Sequence, residues 1–145
     1  MRDGTFTHHV RPRYAEVDMQ GVVFNAHWLT FFDEASTRWF EWLGFDPRET
    51  FFEGGAFDVM VVKAVLEWKG PAGFDADVAI DVRPARIGDK SFDVGFSATA
   101  DGAPACDGVI TYVSVEPGTK SSRPIPAVLR DKLEALRDTG AVDGE

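Results

Sequence analysis

Asp18 and Gly21 lie in the stretch Tyr14-Ala15-Glu16-Val17-Asp18-Met19-Gln20-Gly21-Val22-Val23-Phe24-Asn25-Ala26-His27-Trp28-Leu29, and Asp18 precedes the start of a helical pattern by about seven residues. A carboxylate can attack a carbonyl carbon or take a proton from water. Glycine permits a tight turn or a close backbone approach. A helix start offers unpaired N–H groups at the positive end of its dipole, and such groups stabilise the oxyanion that forms when a carbonyl is attacked. These are the parts needed for acyl transfer. On residue type alone, however, Asp18 is more often a turn former or a cap.

The elements that must position these residues can be read from periodicity. Thr5 to Arg13 alternates weakly and predicts a strand. After Val22-Val23-Phe24, Trp28, Phe31, Phe32, Ala35, Trp39, Trp42 and Leu43 recur at helical spacing, with Asn25 as the predicted N-cap. Gly44 suits a left-handed residue closing that helix, and Pro47 prevents its early resumption. Val59 to Trp68 reads as a strand with Met60, Val62, Ala64, Leu66 and Trp68 on one side. Further strands are expected around Val78–Val82, Phe92–Ala98 and Val109–Val115, separated by turn signals at Ile87-Gly88-Asp89 and Ala100-Asp101-Gly102. A last helix is expected from Ala127 to about Arg137. Short connections imply antiparallel pairing, so the expected fold is α+β: a curved antiparallel sheet of about five strands around one long helix. One domain over residues 1–138 and a flexible tail over 139–145 complete the expected organisation.

Bulk properties narrow the function classes. The chain has 145 residues, 44% hydrophobic and 27% charged, which suits a single globular domain with a substantial core. Twelve Phe and four Trp need a thick core, an interface or an apolar pocket. A formal charge of −9 argues against nucleic acid or anionic membrane as a partner. No secretory signal or apolar run of about 20 residues appears, so a cytoplasmic location is expected. The single cysteine, Cys106, reads as a small buried apolar residue, and no His/Cys/Asp/Glu spacing, including adjacent His8 and His9, resembles a metal site.

The Tyr14–Leu29 stretch resembles the signature of the 4-hydroxybenzoyl-CoA thioesterase group of hot-dog proteins. Tyr14, Glu16, Asp18, Gly21-Val22-Val23-Phe24 and Trp28 stand at the matching positions, and the order of elements agrees over roughly residues 5 to 117. The resemblance implies a hot-dog fold and hydrolysis of an acyl-CoA thioester. Asp18 would be nucleophile or general base, and backbone N–H groups near Phe24 and Asn25 would polarise the carbonyl. Gly21 would allow close approach. Many relatives carry His at the position of Asn25, whereas this chain has His27 two residues later. No cofactor is implied, since CoA is part of the substrate.

Other residues are candidates for assistance or binding. Glu16 and His27 are candidate assisting groups: a carboxylate two residues from Asp18 would raise the pKa of one of the pair, although Glu16 can instead pair with Arg13. Trp28 is a candidate for lining the acyl site, its alternative being core. The CoA phosphates call for cations, and Arg86, Lys90 and Ser91 beside one turn, with Lys120 and Arg123 after the last strand, are candidates. An open sheet edge predicts self-association as a dimer or tetramer. Two other functions stay open: a hot-dog dehydratase, for which the three His lack a suitable context, and a non-enzymatic acyl- or CoA-binding protein.

Overall fold

The computed structural model describes residues 5–142. The chain runs β1 (Phe6–Val10), a 3-10 turn (Tyr14–Glu16), α1 (His27–Trp42), α2 (Pro47–Thr50), β2 (Asp58–Trp68), β3 (Val78–Ile87), β4 (Ser91–Ala100), β5 (Ala103–Val115) and α3 (Ala127–Val142). The five strands form one antiparallel sheet in the order β1-β3-β4-β5-β2, so β1 and β2 are its edges.

Local chemistry explains the joints. The β4–β5 hairpin closes on Asp101 (φ 51°) and Gly102 (φ 87°), with Ala100 paired to Ala103. Positive φ at both central residues is the two-residue turn whose twist suits adjacent strands. At the end of α1, Gly44 has φ 108°, its N–H donates to the Glu41 carbonyl at 2.9 Å, and Phe45 N–H reaches back to the Phe40 carbonyl at 3.0 Å. That double bond pattern satisfies the last carbonyls and stops the helix. Asp46 then caps α2 by accepting from Arg48 N–H at 2.9 Å.

α1 packs its aromatic face on the sheet. Trp28, Phe31, Phe32, Ala35, Trp39 and Phe40 are buried, and they meet Val78, Ile80, Val82, Phe92, Val94, Phe96, Ile110 and Tyr112 from the strands. Phe32 stacks on Phe96 with centroids 4.8 Å apart. Gly108 makes room for it: a Cβ there would lie 2.7 Å from a Phe32 ring carbon. Leu129, Leu133 and Leu136 of α3 join the same core. Most of the large rings therefore serve packing, while Phe24, Phe52, Trp68 and Phe74 stay exposed.

Three expectations need correction. The register of β2 on β5 shifts between Val61 and Lys63, so Val62 is an extra, bulged residue. Ala64, Leu66 and Trp68 oppose the inward-facing Ile110, Gly108 and Cys106, but Val61 and Val59, not Met60 and Val62, share their face. Asn25 is not the N-cap: α1 begins at His27, preceded by Ala26 in helical conformation (φ −66°, ψ −25°) without a side-chain cap. α3 continues to Val142, past the expected end at Arg137 and into the span expected to be a flexible tail, and residues 143–145 of that tail lie outside the described residues.

Candidate active site

Asp18 opens a tight hairpin turn. Its N–H donates to the Val22 carbonyl at 2.9 Å, and its carbonyl accepts from Gly21 N–H at 2.9 Å. Gly21 has φ 80°, which fits a three-residue loop closed by a left-handed residue. A Cβ at Gly21 would meet nothing within 4 Å. Its positive φ accounts for glycine at this position. The Asp18 carboxylate is half-buried, and its Oδ1 accepts from Gln20 N–H at 2.8 Å. That bond fixes the side chain above the turn.

The returning arm carries the chain into α1. Val17 bridges Val23, Val22 bridges Gly73, and Val23 N–H donates to the Ala72 carbonyl at 2.8 Å. Phe24 N–H donates to the Glu16 carbonyl at 2.9 Å. This last bond corrects an expectation, because Phe24 N–H is already engaged and cannot also serve an oxyanion without leaving Glu16. His27 N–H and Trp28 N–H donate to the Phe24 and Asn25 carbonyls at 2.9 and 3.3 Å. Among the described residues, no acceptor within the chain meets the N–H of Asn25 or Ala26. These two free donors stand at the positive end of a 16-residue helix.

An apolar cleft of about 410 Å³ opens beside them, lined by Phe24, Asn25, Ala26 and Leu29 on the helix side and by Ala64, Leu66 and Trp68 on β2. Ala26, Leu29, Ala64, Leu66 and Trp68 are lining residues that the sequence reading misses. The helical stripe does not point to Leu29, and the bulge at Val62 hides which face of β2 turns inward. Trp28 does not line the cleft: only 2% exposed, it packs edge-on against Phe31 and belongs to the core.

Among the described residues, no side-chain hydrogen bond joins Glu16 or His27 to Asp18. Glu16 is buried, and its carboxylate accepts from the Arg13 guanidinium (Nε to Oε2, 3.1 Å) and from Arg13 N–H at 2.7 Å. Those hydrogen bonds hold its carboxyl below the usual range, and His27 adds a smaller effect in the same direction. The like-charge coupling expected between Glu16 and Asp18 is replaced by this clamp. Its side chain fixes Arg13 and its carbonyl fixes Phe24, so Glu16 ties the 3-10 turn to the helix entrance. The His27 ring lies 6.1 Å from that of Phe24, edge to face.

The candidate cations sit elsewhere. The hairpin at Asp18 is at the Val10–Val78 end of the sheet, where Asp75 N–H donates to the Pro12 carbonyl at 2.9 Å. Arg86, Lys90 and Ser91 surround the turn at the other end of β3, whose ten residues span about 30 Å. Arg86 is held by Asp93 (3.1 and 3.2 Å) and donates to Ser91 Oγ at 2.9 Å. Burial alone would raise the Asp93 carboxyl, but hydrogen bonds from Arg86 and Thr111 outweigh it and keep it low. Arg123 donates to the Ala56 carbonyl at 3.0 Å, beside the start of β2. Within one chain these cations do not reach the Asp18 end. No group of three or more His, Cys, Asp or Glu placed to hold a metal occurs among the described residues.

The model of the thioesterase-like superfamily matches residues 12–133, which include the hairpin, α1 and the whole of β2 to β5. The chain belongs to this superfamily. A 1,4-dihydroxy-2-naphthoyl-CoA hydrolase of Synechococcus elongatus is 24% identical over 126 residues, covering 87% of this chain and 93% of that protein. A thioesterase of Thermus thermophilus, solved with coenzyme A and Zn, superposes with a TM-score of 0.77 at 26% identity, covering 91% of this chain and 93% of that one. A Pseudomonas aeruginosa protein gives a TM-score of 0.79 at 27% identity, covering 91% of each chain. The α+β architecture of this superfamily member is thus the hot-dog fold expected from the Tyr14–Leu29 signature.

Proposed function

We propose that the chain hydrolyses acyl-CoA thioesters, adding water across the C–S bond to release a free acid and the CoA thiol. The observation that carries this reading is that Asn25 and Ala26, whose N–H groups meet no acceptor in the chain, themselves line an apolar cleft. A thioester carbonyl seated there receives the N–H donors as its oxygen gains charge, and the acyl group enters the cleft. Asp18 supplies the carboxylate, either attacking the carbonyl carbon or drawing a proton from the attacking water. Membership of the thioesterase-like superfamily and the CoA-linked relatives support the same chemistry.

The open cleft also supports self-association. β2 is an edge strand with free pairing groups, and it carries exposed Val61, Val62, Val65 and Trp68. A second copy pairing there would cover this surface. Arg86, Lys90, Ser91 and Arg123 lie at the far end of the sheet from Asp18, so a role for them is contact with the phosphates of CoA, which lie a pantetheine arm away from the thioester, and not contact with the reacting carbonyl. No helix among the described residues is long and apolar enough to cross a membrane, and a cytoplasmic location belongs to this proposal.

The test is release of CoA thiol from a panel of acyl-CoAs, comparing Asn25→Ala with Asn25→Pro. Alanine keeps the backbone donor and proline removes it. The expected loss on proline substitution is about 10²–10³ in kcat, the usual effect of removing one oxyanion donor. Equal activity in the two folded variants would remove Asn25 N–H from the mechanism.

A further inference from the structure

A second cleft, of about 290 Å³, continues along the seam between α1 and β2 and is lined by Leu29, Thr30, Asp33, Val61 and Ile110. Leu29 lines both clefts. On the sheet side, Ala64 of the first cleft is the direct cross-strand partner of Ile110 of the second. Partners of this kind project to the same face with Cβ atoms roughly 5 Å apart. The bulge at Val62 matters here. It turns Val61 inward after Ala64, so the second cleft opens beside the smallest side chain on that face of β2. Leu29, shared by both clefts, and Ala64, paired across the strands with Ile110, therefore mark the junction between them.

We propose that Leu29 and Ala64 form a constriction that determines which acyl groups the cleft accepts, by controlling passage from the first cleft into the second. The proposal rests on the thioesterase reading above. Leu29 lies four residues beyond Asn25, about 6 Å along the helix axis. An extended chain advances about 1.2 Å per bond, so about five carbons beyond the carbonyl reach the junction. A butyryl group ends before it. A decanoyl group passes it by about four carbons, and these need the opening that Ala64 leaves.

The experiment measures the ratio of kcat/KM for decanoyl-CoA to that for butyryl-CoA in the full chain. Each methylene kept out of apolar contact costs about fourfold, so Ala64→Phe is expected to lower the ratio on the order of 100-fold, with Ala64→Val in between. Leu29→Ala, at an exposed position, widens the junction and is expected to raise the ratio several-fold. Damage to folding or assembly slows both substrates together and leaves the ratio in place. An active wild type with the same ratio in all three variants overturns the constriction and leaves the thioesterase reading standing. Should Ala64→Phe fail to fold, an unmoved ratio in Leu29→Ala and Ala64→Val overturns it equally. A wild type inert on every acyl-CoA overturns both.

Discussion

Gly108→Ala tests how tightly α1 is seated on the sheet. The added Cβ would lie 2.7 Å from Cε2 and 3.1 Å from Cδ2 of Phe32. Phe32 has little freedom to yield, because it is fully buried, stacks on Phe96 at 4.8 Å and lies 6.1 Å from Trp28. The helix or the strand must move by several tenths of an ångström, and overpacking of this kind costs about 1–3 kcal/mol. For 145 residues the unfolding entropy near the midpoint is about 0.3 kcal/mol/K, so the melting temperature should fall by about 3–10 °C. Calorimetry or circular dichroism reads the shift directly. Phe32→Leu should restore part of the loss in the double variant, because the two residues share one contact. A Gly108→Ala protein melting with the wild type, or strict additivity with Phe32→Leu, would refute the packing argument. The same contact bears on function, since Leu29 lies on the helix that Phe32 anchors and Asn25 lies just before its start.

Two further predictions concern titratable groups other than Asp18. Glu16 has a carboxyl held low in the folded chain by Arg13, so its contribution to stability is present at neutral pH and is lost as pH falls from about 4.3 through the lower folded value. Glu16→Gln should remove that part of the acid-side slope, with a cost at neutral pH of about 1–3 kcal/mol for the charged hydrogen bonds; acid titrations of stability that superimpose for variant and wild type would contradict it. Burial pushes the Cys106 thiol up to about 12, so the native protein should resist alkylation at pH 8 and react once unfolded. Rapid labelling of the native protein, followed by mass spectrometry, would show that the thiol is not enclosed.

The elements that depend on local chemistry were legible in the sequence. The aromatic stripe located α1, Gly44 marked its end, and Asp101-Gly102 marked the tightest hairpin. The signature around Asp18 pointed to the superfamily whose model matches the chain. What escaped depends on partners distant in the chain. The bulge at Val62 is defined only by pairing with Tyr112 and Thr111, so alternation alone placed Met60 and Val62 on the wrong face. Phe24 N–H is taken by Glu16, eight residues earlier, which no helix-start pattern displays. Trp28 has the same helical spacing whether it faces the core or a ligand, and burial decides for the core. Arg86 looked like a free cation beside a turn, but Asp93, seven residues on, engages it.

Asp18→Asn measures most directly whether the half-buried carboxylate on the hairpin before α1 performs the hydrolysis. The substitution is nearly isosteric, and its side-chain oxygen can still accept from Gln20 N–H, so the turn should persist and the melting temperature should stay near that of the wild type. If Asp18 is the reacting carboxylate, kcat for thiol release from acyl-CoA falls by about 10²–10⁴ in a protein that still folds. A folded Asp18→Asn protein with kcat within a few fold of the wild type would contradict it.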